Sequence, residues 1–183
     1  LAGTSDVADL DTIYKKTISV VASVPLITSN VITTAMRSTG ARTTENYIFI
    51  TGGVTLGTTG VDVANQILLE NGSGASLWWT MGDSLQGRAV SGSESRTFIS
   101  GGADGSESGI TNKIMECANS SRSEVRQWGQ MTVGKYKFAA GYSQSRTVMA
   151  QGQDTAATVF TNREYFNHDT KGTSVEFDTA GKQ

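Results

Sequence analysis

Tyr47-Ile48-Phe49-Ile50-Thr51-Gly52-Gly53 returns as Arg96-Thr97-Phe98-Ile99-Ser100-Gly101-Gly102, and again as Arg146-Thr147-Val148-Met149-Ala150-Gln151-Gly152. A short apolar run, rich in β-branched and aromatic residues and stopped by glycine, reads as a buried strand entering a sharp turn. Three occurrences at a nearly constant offset make a repeat. The paired glycines supply backbone conformations that a side chain resists, at a point where neighbouring sheets crowd.

The likeness extends outward from this core. Trp79 lies 26 residues after Gly53, Trp128 lies 26 after Gly102, and Phe177 lies 25 after Gly152. Between them stand Asn65-Gln66-Ile67, Asn112-Lys113-Ile114 and Asn162-Arg163-Glu164, and Arg37, Arg88, Lys135 and Lys182 punctuate the unit boundaries. The units therefore run over about 37–87, 88–134 and 135–181. Each reads as a small antiparallel sheet. The quoted strand is followed by a second at 63–69, 111–117 or 159–166 and a third at 76–80, 124–128 or 173–177, with its large aromatic packed between sheets. Stretches 86–91 and 135–140 supply a fourth. Val63 to Glu70 reads as strand rather than helix, because Gly60 and Asn71-Gly72-Ser73-Gly74 flank it with turn formers. Residues 1–36 lack paired glycines; Thr17–Val24 and Leu26–Thr33 are β-prone runs split by Pro25, an extended arm or partial blade.

Composition narrows the function classes. The net charge is −2, with 15 Lys and Arg spread along the chain, so no phosphate-neutralising surface is indicated and nucleic acid is not an expected partner. No apolar run approaches the roughly 18 residues of a membrane helix, so no membrane partner is expected. Proline occurs once while glycine occurs 21 times, a usage that suits strands joined by tight turns.

Reactive residues are sparse. The sole histidine, His168, sits in Asn167-His168-Asp169-Thr170-Lys171 and reads as a solvated turn residue. One His and one Cys cannot furnish the three or four ligands of a zinc site, and Cys117 reads as a small buried hydrophobe. Asp62, Asp83, Glu94 and Asp104 show no spacing that selects an acid–base pair. Asp104-Gly105-Ser106-Glu107-Ser108-Gly109 lacks the ligand series of a calcium loop and reads as a hairpin turn. Gly57-Thr58-Thr59-Gly60 and Gly72-Ser73-Gly74 lack the lysine and helix of a phosphate loop and read as turns. The recurring Arg88, Lys135, Arg96 and Arg146 read as structural cations, paired between blades or bonded to turn carbonyls. Trp78 and Trp79 are adjacent on a strand and are predicted to face opposite ways. No catalytic, cofactor or metal residues are assigned; the residues singled out are the repeat positions Gly52, Gly53, Gly101, Gly102, Gly152, Trp79, Trp128 and Phe177.

A hydrophobic run with paired glycine, a tryptophan about 26 residues on and a unit near 50 residues resembles the kelch repeat, one four-stranded blade of a β-propeller. From Arg88 through Gly152 the chain is similar to the kelch-like arrays of structural proteins of tailed bacteriophages. It departs in lacking the tyrosine before the tryptophan, in Gln151 and in Phe177. The resemblance implies an all-β fold of three antiparallel four-stranded blades with an N-terminal β arm. Three blades do not close a ring of four to eight, so it also implies a partial propeller completed by association. The function implied is that of a noncatalytic virion component of tail, neck, fibre or head decoration, assembled in the host cytoplasm with copies of itself and other virion proteins. The alternative is a receptor-binding module that holds a host-surface glycan or protein on loops 53–62, 102–110 and 152–158. An enzyme on the same scaffold is the third choice.

Overall fold

A computed structural model describes residues 39–55, 59–68, 76–120 and 125–179. Among them all regular structure is strand. Strands β1 (Gly40–Thr43), β2 (Tyr47–Thr51), β3 (Val63–Leu68) and β4 (Ser76–Thr80) form an antiparallel sheet in chain order. The second sheet repeats this with β5 (Ala89–Gly92), β6 (Arg96–Ser100), β7 (Lys113–Ala118) and β8 (Arg126–Gln130). The third uses β9 (Ala139–Tyr142), β10 (Arg146–Ala150), β11 (Asn162–Asn167) and β13 (Val175–Thr179). The two-residue β12 (Gly172–Thr173) leaves the third sheet and pairs in parallel with β8, covering the outer edge of the second. A Cβ at Gly129 would collide with the Gly172 carbonyl, so this pairing needs glycine there. The expected arm at residues 1–36 lies outside the described residues, as do Arg37 and Lys182.

Stretches 86–91 and 135–140 do not close the preceding sheet as fourth strands. Ala89–Gly92 and Ala139–Tyr142 open the next sheet instead, and Gly40–Thr43 does the same for the first. Each of these short runs hydrogen-bonds to the apolar strand that follows it through a three-residue turn, so the local hairpin decides the sheet to which it belongs.

Antiparallel partners share a face. Arg42, Phe49, Thr51 and Ala64 therefore lie on what we term the front of the first sheet, and Ala41, Ile48, Ile50 and Ile67 on its back. Sheets pack front to back. Phe49, Ala64, Trp78 and Trp79 meet Val90, Ile99 and Cys117 of the second sheet. Phe98, Ile114 and Trp128 meet Met149 and Phe166 of the third. The large apolar side chains among them contribute about 1.5–3 kcal/mol each on burial, so much of the stability resides between sheets.

Both Trp78 and Trp79 are buried, contrary to the alternation expected of a regular strand. Val63 pairs with Thr80 and Ala64 with Trp79, but Asn65 pairs with Leu77, leaving Trp78 as the extra residue of a β-bulge. The bulge resets the alternation and turns both rings inward. It recurs opposite Ile114/Met115, where Trp128 is the extra residue, and opposite Arg163/Glu164, where Phe177 is. Trp78, rather than Trp79, is thus the structural counterpart of Trp128 and Phe177. Its ring stacks on Phe49 with centroids 4.0 Å apart, as Trp128 packs edge-on to Phe98 at 5.4 Å.

The paired-glycine turn has one backbone form in all three sheets. Gly52 and Gly53 have φ of 55° and 116°, Gly101 and Gly102 have 61° and 111°, and Gln151 and Gly152 have 61° and 113°. Gln151 holds a left-handed conformation that penalises any Cβ. Gln151→Gly is therefore expected to raise stability by about 0.5–1 kcal/mol, the strain relieved exceeding the added chain entropy. Equilibrium urea unfolding of the two proteins checks this, and a lower midpoint for the glycine variant contradicts it.

Candidate functional site

Three places gather polar chemistry: the junction between sheets at the β1–β2 turn end, a buried ion pair behind the third sheet, and the loop edge at the opposite end. At the junction, Arg42 reaches from the first sheet into the second. Its Nη1 donates to the Arg96 carbonyl at 2.7 Å and to Thr97 Oγ1 at 3.2 Å, and its Nη2 donates to the Ser93 carbonyl at 2.8 Å. Thr97 also bonds Asn119 Oδ1 at 2.7 Å, and Asn119 Nδ2 donates to the Glu94 carbonyl at 2.8 Å. The third sheet repeats the arrangement with different residues. Thr147 Oγ1 lies 2.9 Å from both His168 Nε2 and Ser91 Oγ, and His168 Nδ1 lies 3.0 Å from the Gln144 carbonyl.

His168 is therefore the counterpart of Asn119, each closing the third strand of its sheet and tying a threonine to the first turn. It is 2% exposed, not solvated, and its ring tilts over Phe98 with centroids 4.7 Å apart. The turn position was legible from Asn167-His168-Asp169. The burial was not, because the neighbouring sheet that covers it lies far away in sequence. A carbonyl only accepts, so Nδ1 carries the proton facing Gln144. Burial pushes the imidazole below its ordinary value; the Gln144 carbonyl opposes this and Arg42 adds to it.

Behind the third sheet, Lys135 Nζ lies 2.5 Å from Glu164 Oε1, with both side chains wholly buried. Glu164 Oε2 accepts from the Thr132 amide at 2.9 Å, from the Thr132 hydroxyl at 3.0 Å and from the Ser174 hydroxyl. Burial pushes the Glu164 carboxyl up, but Lys135, Ser174 and the Thr132 amide outweigh it and hold it below the usual range. The cluster fastens the β8–β9 connection and the start of β13 to one carboxylate on β11. The other recurring cations are also structural. Arg88 is buried, donates to the Asp83 carbonyl at 2.8 Å, and is pushed down to about 10 by burial. Arg96 donates to the His168 carbonyl at 2.9 Å and pairs with Glu116 at 3.4 Å. Arg146 Nε donates to Asn167 Oδ1 at 3.0 Å.

At the loop edge, Asp104 accepts from Ser106 Oγ at 2.9 Å and from the amides of Ser108 and Gly109 at 2.8 and 2.9 Å. These donors hold its carboxyl below the ordinary value and close the loop on itself as a turn. Asp154 accepts from the Thr158 amide in the same way. Glu107, at φ 58°, receives the Tyr136 hydroxyl at 2.7 Å and lies 2.9 Å from Lys137 Nζ. Gly57-Thr58 and Gly72-Ser73-Gly74 fall outside the described residues. No group of three metal-ligating side chains occurs among the described residues.

The remaining feature is an uncovered surface. In the second sheet Ser91, Phe98, Glu116 and Trp128 are buried under the third. Their counterparts on the front of the third sheet are Gly141, Val148, Tyr165 and Phe177, and Phe177 is 52% exposed. Val175 beside it is 51% exposed, and Arg146 stacks over Tyr165 with its charge 4.5 Å from the ring centroid. Phe177 thus keeps its bulge position but, among the described residues, has only Tyr165 as a ring partner. Repeat spacing located this residue; its exposure comes from its place on the front of the third sheet, which no other described strand covers.

No protein-family model and no curated protein matches the chain. Among the described residues no helix is long and apolar enough to cross a membrane. The kelch-like and phage resemblance therefore stands on the sequence pattern.

Two outcomes are expected from the buried groups. Lys135→Met strands a buried carboxylate and costs about 3–5 kcal/mol, whereas Lys135→Met with Glu164→Leu recovers most of that loss in thermal or urea unfolding. The imidazole's folded value is depressed, so the unfolded chain binds a proton that the native chain resists. Stability is then complete above the ordinary value of 6.5 and is lost as pH falls below it. His168→Asn, which copies the second sheet, flattens the change in unfolding midpoint between about pH 7.5 and about pH 5.5. An equal pH response in both proteins refutes the assignment.

Proposed function

We propose that this chain is a noncatalytic structural component of a bacteriophage particle, in the tail, neck, fibre or head decoration, which works by assembling with copies of itself and other virion proteins. The observation that carries the reading is the uncovered front of the third sheet. Val148 and Phe177 occupy positions that the preceding sheet buries, Val175 beside Phe177 is also exposed, and an exposed apolar sheet face is an interaction site or an aggregation hazard. The polar side chains support the same reading, since Arg42, Arg88, Arg96, Lys135 and Glu164 are engaged in holding sheets and turns together. The phage setting rests on the repeat resemblance. A host-surface binding role at the loop edge is the second reading, favoured by the half-exposed Glu107–Lys137 pair.

Quantitative mass spectrometry of purified particles is the direct test. The expected result is this chain in a fixed ratio to a symmetric tail, portal or capsid protein. Its recovery only as free protein, outside any particle, overturns the proposal.

A further inference from the structure

Both internal interfaces follow one rule. The front of one sheet offers an aromatic face, and the back of the next offers three apolar side chains from its first three strands. In the second sheet these are Val90, Ile99 and Cys117; in the third they are Ala140, Met149 and Phe166. By strand register the same three positions on the back of the first sheet are Ala41, Ile50 and Ile67. The first sheet thus has an apolar back of the kind that receives a front face, with Ala41 exposed, Ile48 and Ile50 half-buried and Ile67 buried in the single chain. Among the described strands, the only sheet packed on the first is the second, which takes its front. The third sheet presents the unmatched front, with Val148, Tyr165 and Phe177.

The polar tie across each interface supplies an independent match. In the first interface Arg42 on the front bonds Thr97 on the back, and in the second Ser91 on the front bonds Thr147 on the back. The corresponding front position of the third sheet is Gly141, and the corresponding back position of the first is Ile48. A buried threonine facing a glycine would lose its partner at a cost of about 1–3 kcal/mol. Here both members lack hydrogen-bonding side chains together. A Cβ at Gly141 would meet nothing within 4 Å, leaving room for the larger isoleucine. Charge changes in the same sense: Glu116 and Arg126 of the second sheet are replaced by Tyr165 and Val175 in the third.

We propose that the front of the third sheet docks on the back of the first sheet of a second copy of this chain, continuing the internal packing between molecules. The inference rests on the assembly reading above and specifies its contact. Such a contact is heterologous, so it closes a ring or runs on as a filament according to the rotation between sheets. In either case Gly141 of one copy faces Ile48 of the next, as Ser91 faces Thr147 within the chain with oxygens 2.9 Å apart.

The test mixes two full-length single variants, Gly141→Cys and Ile48→Cys, under mild oxidation. Cys117 is buried and serves as the internal background, read from wild-type protein treated alike. The expected product is a thiol-reversible dimer that requires both variants and exceeds either one alone by about tenfold or more, because a docked contact raises the effective concentration of the two thiols. In a second arm, Val148→Asp reduces the mass measured by light scattering to that of one chain while circular dichroism and melting temperature stay near those of wild type. Wild-type multimers that give no mixed disulfide and survive Val148→Asp overturn the head-to-tail contact and leave the assembly reading standing. A wild-type chain that stays a monomer at every concentration overturns the contact, and particle composition then decides the assembly reading separately.

Discussion

Each of the three sheets among the described residues is apolar on both faces, and the architecture follows from the need to cover them. A sheet with Phe98, Ile114 and Trp128 on one side and Val90, Ile99 and Cys117 on the other cannot remain in water alone. Only a neighbour on each side removes that surface, and the middle sheet has both. This is why stability is concentrated between units rather than within them, as in other repeat arrays.

Covering both faces requires the connections to be compact, and the turn geometry shows how. The left-handed pair at Gly52-Gly53, Gly101-Gly102 and Gln151-Gly152 reverses the chain where the next connection presses close. At Gly101 an added Cβ would meet the Lys135 carbonyl and the Phe138 ring, so space and backbone angle make the same demand. Side chains then fasten the sheets. Arg42, Thr97 and Asn119 at one junction, and Ser91, Thr147 and His168 at the next, satisfy the polar groups that close packing has cut off from water.

Lys135 and Glu164 are the most exacting of these fasteners. A wholly buried ion pair contributes little over an apolar pair of similar size, because both charges must leave water. Its effect is on specificity. With Thr132 and Ser174 on the same carboxylate, only one placement of the β8–β9 connection against β11 leaves the charge compensated.

The sequence by itself determined the all-strand character, the three-fold repeat, the glycine turn and, to within a residue, the strands read at 47–51, 63–69 and 76–80, because period, turn residues and β-branched runs act over a few neighbours. Residues 1–36, read as an arm, lie outside the described structure. Tertiary structure alone decided that Ala89–Gly92 and Ala139–Tyr142 open the following sheets, that bulges turn Trp78 and Trp79 inward together, and that His168 is buried. Each depends on a register or a covering sheet supplied by residues distant along the chain. The cationic punctuation was visible as a pattern, but Lys135 meets a carboxylate and Arg88 a carbonyl because their connections pack against different neighbours. The uncovered face was half legible: spacing located Phe177, and only the stacking order of the sheets left it exposed, since packing assigns each face its partner and no other described strand covers the front of the third sheet.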